Sequence, residues 1–379
     1  MSSPPGAFHG PIPTLTDGVV TLRGFRTEDL DAIVEISNDP LISQWSSLPQ
    51  PYERKHAEGW LALNEAGWSD GSRYQFGIEH NGRLIGDVNL RPQHARQAEV
   101  GFSLAAGARG QGLMTRALRL VLPWGFHDAR IDVVHWRAQV GNWASRRVAW
   151  AVGFRVDAVV PGLLEQRGNL VDGWLAAITR NTRLQPVHPW YDPAPVIGKT
   201  TVLRAHREQD VPRMVEACRD PQTRHWLAGL PDDYSEIHAR QHLEQIRAEQ
   251  AAGRGVQWVV ADPDDDRLLA DLALFIRDPN DPQGEIGYWT HPDARGRGVI
   301  TEGVQLVARH ALLPEEDGGL GLDRILIRTD VDNLASQRVA EKAGFTFSGR
   351  DRDGNLRRDG TRSDHLRFDL LADELPAVR

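Results

Sequence analysis

Cysteine is almost absent from this chain: Cys218 is the single one in 379 residues. An intrachain disulfide is excluded, and a reducing compartment such as the cytoplasm is expected. Cys218 ends an amphipathic stretch that starts at Val211, so it reads as a buried structural thiol and not as a nucleophile. Long apolar runs are missing as well. Nothing approaches the roughly 18 apolar residues in a row that a membrane-spanning helix needs. There is no excess of positive charge either. The net charge is −8 and the isoelectric point about 6.0, which argues against a protein that grips nucleic acid by neutralising phosphates. The opening residues, MSSPPGAFHGPIPTLTDG, lack the basic and apolar segments of a signal peptide. They are expected to form a loose tail over residues 1–17.

What is present is a globular composition, 40% hydrophobic and 25% charged. At a prior of roughly 150 residues per domain, two or three domains are expected. Self-comparison decides between them. Leu22-Arg23 recurs as Leu203-Arg204, Asp39-Pro40 as Asp220-Pro221, and Trp45 as Trp226. Further on, Glu99-Val-Gly-Phe102 recurs as Glu285-Ile-Gly-Tyr288, and Asn142-Trp-Ala-Ser145 as Asn333-Leu-Ala-Ser336. Gly153-Phe154 recurs as Gly344-Phe345, and the pair Gly168/Asp172 as Gly360/Asp364. The order is kept throughout, so the chain is a duplicated domain. Between the copies, Gln185 to Pro195 holds four prolines in eleven residues, a stiff extended linker. The expected layout is a tail (1–17), a first domain (18–184), a linker (185–198) and a second domain (199–375).

Each copy alternates strands and helices around one mixed sheet. Two strands flank His80-Asn81-Gly82, where Asn-Gly signals a hairpin. Then a strand meets Arg109-Gly110-Gln111-Gly112 and a helix opening with Leu113 and Met114. In the second copy the loop is Arg295-Gly296-Arg297-Gly298 and the helix opens with Val299 and Ile300. Glycines let backbone approach an anion, and the first N–H groups of a helix are unpaired and carry the positive end of its dipole. Together they make a phosphate cradle. A P-loop would need Gly-Lys-Ser/Thr, and a Rossmann site a third glycine; neither is present.

Arg-Gly-x-Gly after a strand, then Asn-x-Ala-Ser-x-x-Val-Ala and Gly-Phe, resembles the GNAT superfamily of acetyltransferases. The likeness is greatest to the branch containing the ribosomal-protein N-terminal acetyltransferases, which the Gly168/Asp172 and Gly360/Asp364 pairs also fit. It spans nearly the whole chain. It implies two tandem α/β domains, each a seven-stranded, mostly antiparallel sheet flanked by helices and splayed between its fourth and fifth strands. Acetyl-CoA would lie in the splay, its pyrophosphate on the N–H groups of 109–114 and 295–300. The acetyl carbonyl would meet a backbone N–H near Ser103, with Leu104 beside it, or near Thr290, with Trp289 beside it. Asn142 and Asn333 would border the cofactor, and Ser145 and Ser336 the sulfur. The tyrosine that many relatives place seven residues after the Asn is alanine in both copies, Ala149 and Ala340.

An amine with a pKa near 10 must lose a proton before it attacks a thioester, which calls for a base. Glu99 and Glu285 stand at matched places on the strand leading to the cradle and are the candidates. Glu302 is a second choice, since Arg116 stands in the matching place. Trp45, Tyr52, Trp226 and Tyr234 are candidates for the acceptor pocket, as the resemblance implies for that region. His238 and His242 have zinc-ligand spacing but no third ligand, so they read as a solvated helix face and no metal is expected. The basic run Arg350–Arg362 reads as an exposed hairpin that could line a site for an acidic acceptor. Both copies keep the motifs, and the second is slightly favoured because Arg295 and Arg297 flank its loop.

The expected activity is transfer of acetyl from acetyl-CoA to a small-molecule amine or peptide N-terminus by direct attack. Transfer of another acyl group, such as succinyl, and a coenzyme A-binding scaffold with silent sites are the alternatives. Neither nucleic acid nor membrane is an expected partner, and the two domains are expected to pack as a pseudo-dimer.

Overall fold

The computed structural model describes residues 8, 10–278 and 281–375. The chain divides into two units, Met1–Val187 and His188–Arg379. The first unit runs β1 (Leu15–Thr16), β2 (Thr21–Arg23), α1 (Leu30–Ser37), α2 (Pro40–Trp45), α3 (Arg54–Asp70), β3 (Tyr74–His80), β4 (Arg83–Pro92) and β5 (Gln97–Leu104). It continues with α4 (Leu113–His127), β6 (Val133–Gln139), α5 (Trp143–Trp150), β7 (Ala158–Gln166) and β8 (Asn169–Thr179). The second unit repeats this as β9 (Val196–Ile197), β10 (Val202–Arg204), α6 (Val211–Arg219), α7 (Pro221–Trp226), α8 (Glu236–Ala251), β11 (Gly255–Ala261), β12 (Leu268–Phe275) and β13 (Gln283–Thr290). Then come α9 (Val299–Leu312), β14 (Arg324–Asp330), α10 (Leu334–Lys342), β15 (Thr346–Leu356) and β16 (Arg362–Leu371).

Each unit holds one eight-stranded sheet, with the strand orders β1-β2-β3-β4-β5-β6-β8-β7 and β15-β16-β14-β13-β12-β11-β10-β9. The eighth strand, beyond the seven expected, is a two-residue edge piece (β1, β9). Described parts of the expected tail and linker pack onto their units. The Phe8 N–H donates to the Tyr74 hydroxyl at 2.7 Å, and Tyr191 N–H to Gln250 O at 3.1 Å. Residues 1–7 and 9 of the expected tail lie outside the described residues.

Asn81 and Gly82 take φ of 51° and 73°, the left-handed pair that a two-residue hairpin turn demands. The apolar stripe of α4 (Ala117, Leu118, Val121) packs on Phe76, Val88, Leu90 and Val134 of the sheet. In the second unit Val304, Val307 and Ala311 of α9 pack on Val260, Leu272 and Ile325. Burying one such aliphatic side chain contributes about 1.5–3 kcal/mol, so this face holds the cradle helix against the sheet. The short helices α2 and α7 were not foreseen as separate elements. Each begins at an Asp-Pro pair: Asp39 accepts from the N–H groups of Leu41 and Ile42, and Asp220 from Thr223 N–H.

Candidate functional site

The cradle glycines adopt φ values that L-residues resist: 74° at Gly110, 73° at Gly112, 73° at Gly296 and 80° at Gly298. A Cβ added at any of the four would meet nothing within 4 Å, so the space above them is open. Gly112 and Gly298 are the N-caps of α4 and α9. The first intrahelical bonds are Arg116 N–H to Gly112 O and Glu302 N–H to Gly298 O, both at 3.1 Å. The N–H groups of residues 113–115 and 299–301 therefore precede the helical ladder and face the open end. Bare donors, dipole and clear space fit a pyrophosphate.

The strand entering the cradle parts from its parallel neighbour. β5 pairs with β6 from Gln97 to Val100, and β13 with β14 from Gln283 to Ile286; beyond those residues the sheet is splayed. The Ala105 N–H donates to Ile85 O at 2.8 Å and the His291 N–H to Leu269 O at 2.9 Å. Inward and outward backbone groups alternate along an antiparallel ladder. With Asp87 opposite Ser103, the Ser103 N–H is turned to β4, while Phe102 and Leu104 face the splay. In the second unit Tyr288 and Thr290 face it, and Trp289, opposite Asp271, does not. Of the residues expected near an acetyl carbonyl, Leu104 and Thr290 turn their N–H to the splay, and Ser103 turns its N–H to β4.

In the second unit the expected residues converge. Thr290, Gly296, Gly298, Val299, Asn333 and Ser336 line one cleft of about 380 Å³. Trp289, Arg295, Ile300 and Trp226 border it too. Ser336 Oγ lies 2.8 Å from the Tyr288 hydroxyl, a contact for which sequence gave no sign. Burial pushes that phenol up to about 12, against a lowering by the Ser336 contact. In the first unit the matched residue is Phe102, and the Trp136 indole N–H donates to Ser145 Oγ at 3.1 Å. There the expected residues divide. Gln111 and Gly112 line one groove; Trp45, Glu99, Asn142 and Ser145 line another of about 250 Å³. Leu113 and Met114 are buried in the core. Asn142 and Asn333 cap α5 and α10, accepting from Ser145 N–H at 3.2 Å and Ser336 N–H at 3.1 Å.

Several expected roles change once partners are visible. Arg109 donates to the α2 cap Asp39 at 2.6 Å. Arg295 likewise binds Asp220, with Thr223 Oγ at 2.8 Å. These arginines brace the cradle loop against the cap of the short helix, and Arg297 has Asp262 at 3.9 Å. Glu99 is buried between the guanidinium groups of Arg91 and Arg137. Glu285 is held by Arg328, at 3.0 Å through Nε, and by Arg277 at 2.9 Å. Burial works to raise the Glu285 carboxyl, but Arg328 outweighs it and the group lies below its ordinary value. A carboxylate lowered in this way by two guanidinium ions is a poor proton acceptor, which weighs against Glu285 as a base; both carboxylate oxygens of Glu99 are taken up by its two arginines. Glu302 accepts from Lys199 and Thr200 N–H and from the Thr200 and Thr201 hydroxyls, so it anchors the β9–β10 turn.

His238 and His242 are not a solvated face. His238 Nδ1 accepts from Ser235 N–H at 3.1 Å, capping α8, and His242 Nε2 lies 3.3 Å from Gln257, turned to the sheet. Among the described residues no cluster could hold a metal ion. The basic run lies on the exposed β15–β16 hairpin, and three of its arginines face carboxylates: Arg350 with Asp364, Arg357 with Asp330 at 2.7 Å, Arg358 with Asp232. Tyr234 is buried beside Cys218, whose thiol burial pushes up to about 12. Tyr52 borders a pocket of about 310 Å³ over the first unit's sheet.

The sequence reading missed Asp87 and Asp271, matched carboxylates in the middle of β4 and β12. The available signal was one acid inside an apolar strand in both copies, Gly86-Asp87-Val88 and Ala270-Asp271-Leu272. Burial raises the Asp87 carboxyl against lowering bonds from Ser103 and Gln75. For Asp271 burial also acts upward, but His206 prevails and the group is lowered.

Comparison with known proteins bears on both units. The acetyltransferase (GNAT) domain model matches residues 20–155 and 201–346. The probable N-acetyltransferase YjcK of Bacillus subtilis is 31% identical over 143 residues, 37% of this chain and 75% of that one. The ribosomal-protein-serine acetyltransferase of Escherichia coli is 31% identical over 85 residues, 22% of this chain and 45% of that one. A structure of Mycobacterium smegmatis RimJ in complex with CoA-disulfide is 24% identical, with a TM-score of 0.42, covering 48% of this chain and 90% of that one.

Proposed function

The chain belongs to the GNAT acetyltransferase family, one domain in each unit, and from that premise we propose how it works and on what. It is an acetyl-CoA-dependent N-acetyltransferase. We propose that its acceptor is a peptide N-terminus or a comparable primary amine, and that the amine attacks the thioester directly. The acceptor class is supported by likeness to the E. coli ribosomal-protein-serine acetyltransferase. The observation that carries the mode of binding is the second unit's cleft, where splayed strand, bare helix N-terminus and Asn333–Ser336 meet.

In this reading the N–H groups of 113–115 and 299–301 hold pyrophosphate oxygens. A backbone N–H facing the splay, Leu104 or Thr290, stabilises the oxyanion that develops on the carbonyl. The hydroxyls of Ser145 and Ser336 border the sulfur. A thiol near pKa 8.5 leaves adequately as thiolate, so alanine at 149 and 340 is compatible with turnover. The test is thiol release from acetyl-CoA in the presence of short peptides with free or blocked N-termini. Release only with free N-termini is expected; no release above acetyl-CoA alone removes the reading.

A further inference from the structure

The two sheets carry the same buried aspartate in different surroundings. In the first unit, Asp87 stands in the floor of the 310 Å³ pocket, with part of its surface open to the cavity. Its partners are neutral donors: Gln75 Nε2 at 2.7 Å, the Ser103 hydroxyl and the Asn89 amide. The walls are the rings of Phe25, Trp60 and Tyr52. Phe25 and Trp60 meet edge to face, with centroids 4.9 Å apart. Two further polar atoms on this lining, Asn89 Oδ1 and Ser46 Oγ, are buried and have no hydrogen-bond partner among the described residues. Asn89 lies over Gly101, where a Cβ would come within 3.1 Å of its amide. A carboxylate, two unused acceptors and aromatic walls are the complement of a primary ammonium attached to an apolar group.

The second unit has filled the same place. His206 and His242 stand where Phe25 and Trp60 stand, Ala273 where Asn89 does, and Trp289 where Ser103 does. Asp271 is only 2% exposed. His206 Nε2 sits 2.7 Å from it and Gln257 donates to it. Trp289 packs on the cluster of Val211, Met214 and Tyr234 beneath.

Resting on the acetyl-transfer reading, we propose that the first unit holds the acceptor site, with Asp87, Asn89 and Ser46 binding the ammonium of the acceptor and Asp87 taking its proton, and that the second unit's copy of this site is sealed. One proton passes from the ammonium to the Asp87 carboxylate, and the freed lone pair forms the N–C bond. As the C–S bond breaks, the second N–H proton goes to the departing thiolate, leaving a neutral amide and the thiol, and Asp87 returns its proton to water. Unlike Glu99, Asp87 faces no hydrogen-bonded guanidinium; Arg91 and Arg73 border the pocket without bonding it.

The test uses the full chain and the probe 2-phenylethylammonium, with uncharged 3-phenylpropanol as control, titrated by calorimetry. Thiol release from acetyl-CoA with the same amine is measured in parallel. The amine is expected to bind and the alcohol not. Asp87→Asn should weaken amine binding by about tenfold or more, the scale of a hydrogen bond to a charged group, while Asp271→Asn leaves it unchanged. Ser103→Trp, which copies the second unit, should abolish binding in a folded protein and covers the case in which Asp87→Asn misfolds. Unchanged affinity in Asp87→Asn or Ser103→Trp, equal loss in Asp271→Asn, or no amine binding by the wild type overturns the proposal. Amine binding that depends on Asp87 without thiol release upholds the site and removes the acetyl-transfer reading instead.

Discussion

Gly298→Val separates the backbone's need for glycine from the ligand's. At φ 80°, a side chain costs about 1–2 kcal/mol in backbone strain, and a β-branched one stands at the upper end. No steric term adds to this, because a Cβ there meets nothing within 4 Å. For a unit of this size each kcal/mol moves Tm by roughly 2–4 °C, so a fall of about 4–8 °C in the second unit's transition is expected. The ligand effect is different in kind. The new methyls occupy the space over the N–H groups of 299–301, so coenzyme A should no longer bind there. Wild type at a hundredfold excess over Kd should gain about 2.7 kcal/mol from binding; the variant's second transition should gain nothing. Calorimetric titration with coenzyme A reads the same event as a drop in stoichiometry from two sites to one, with Gly112→Val as the mirror case. Undiminished stoichiometry, or a loss of stability above about 4 kcal/mol, would show that the cradle geometry is misread.

Asp29 and Arg23 form a buried bidentate pair at 2.8 and 2.9 Å, so Asp29→Ala should cost about 3–5 kcal/mol in urea unfolding of the first unit; a loss under 1 kcal/mol contradicts the pairing. Asp330 lies below its ordinary value because Arg357 and Ser363 outweigh burial. A carboxyl depressed in the fold stabilises at pH above its unfolded value of about 3.9 and loses that effect as pH falls through the folded value. Wild type and Asp330→Asn should therefore differ most near neutrality and converge in acid; a gap independent of pH refutes the ion pair's role. Cys218 should resist iodoacetamide at pH 8 until the protein is unfolded, and rapid labelling of native protein would contradict its burial. Tyr288→Phe, which reproduces Phe102 of the first unit, should cost no more than about 1.5 kcal/mol, measured by thermal unfolding.

The sheets, the cradle and the cleft helices were legible because each signal occurs twice with the same flanks, and coincidence in one copy is checked by the other. Asn81-Gly82 marked its turn unaided, since few residues accept two positive φ values in succession. Side-chain partners were not legible, because they come from residues remote in the chain. Glu99 looked free for chemistry until Arg91 and Arg137 closed on it, and Arg109 and Arg295 looked free for phosphate until Asp39 and Asp220 claimed them. That Leu104 and not Ser103 turns its N–H to the splay has another origin. Residue type does not say which way a strand's N–H points, and that is fixed by pairing with β4. Asp87 escaped notice because a lone strand aspartate has no motif, though its recurrence as Asp271 was there to be used.

In the proposed reading, the splay gives the contact to the acyl carbonyl to the main chain. Its donors at 102, 104, 288 and 290 are peptide N–H groups, which survive any substitution short of proline. Side chains at those places are released to drift, and they have: phenylalanine faces tyrosine across the duplication, and leucine faces threonine. If both copies bind the thioester as proposed, a duplicated enzyme built this way can reshape what each copy touches without giving up that contact, so divergence of the halves need not begin with the loss of one.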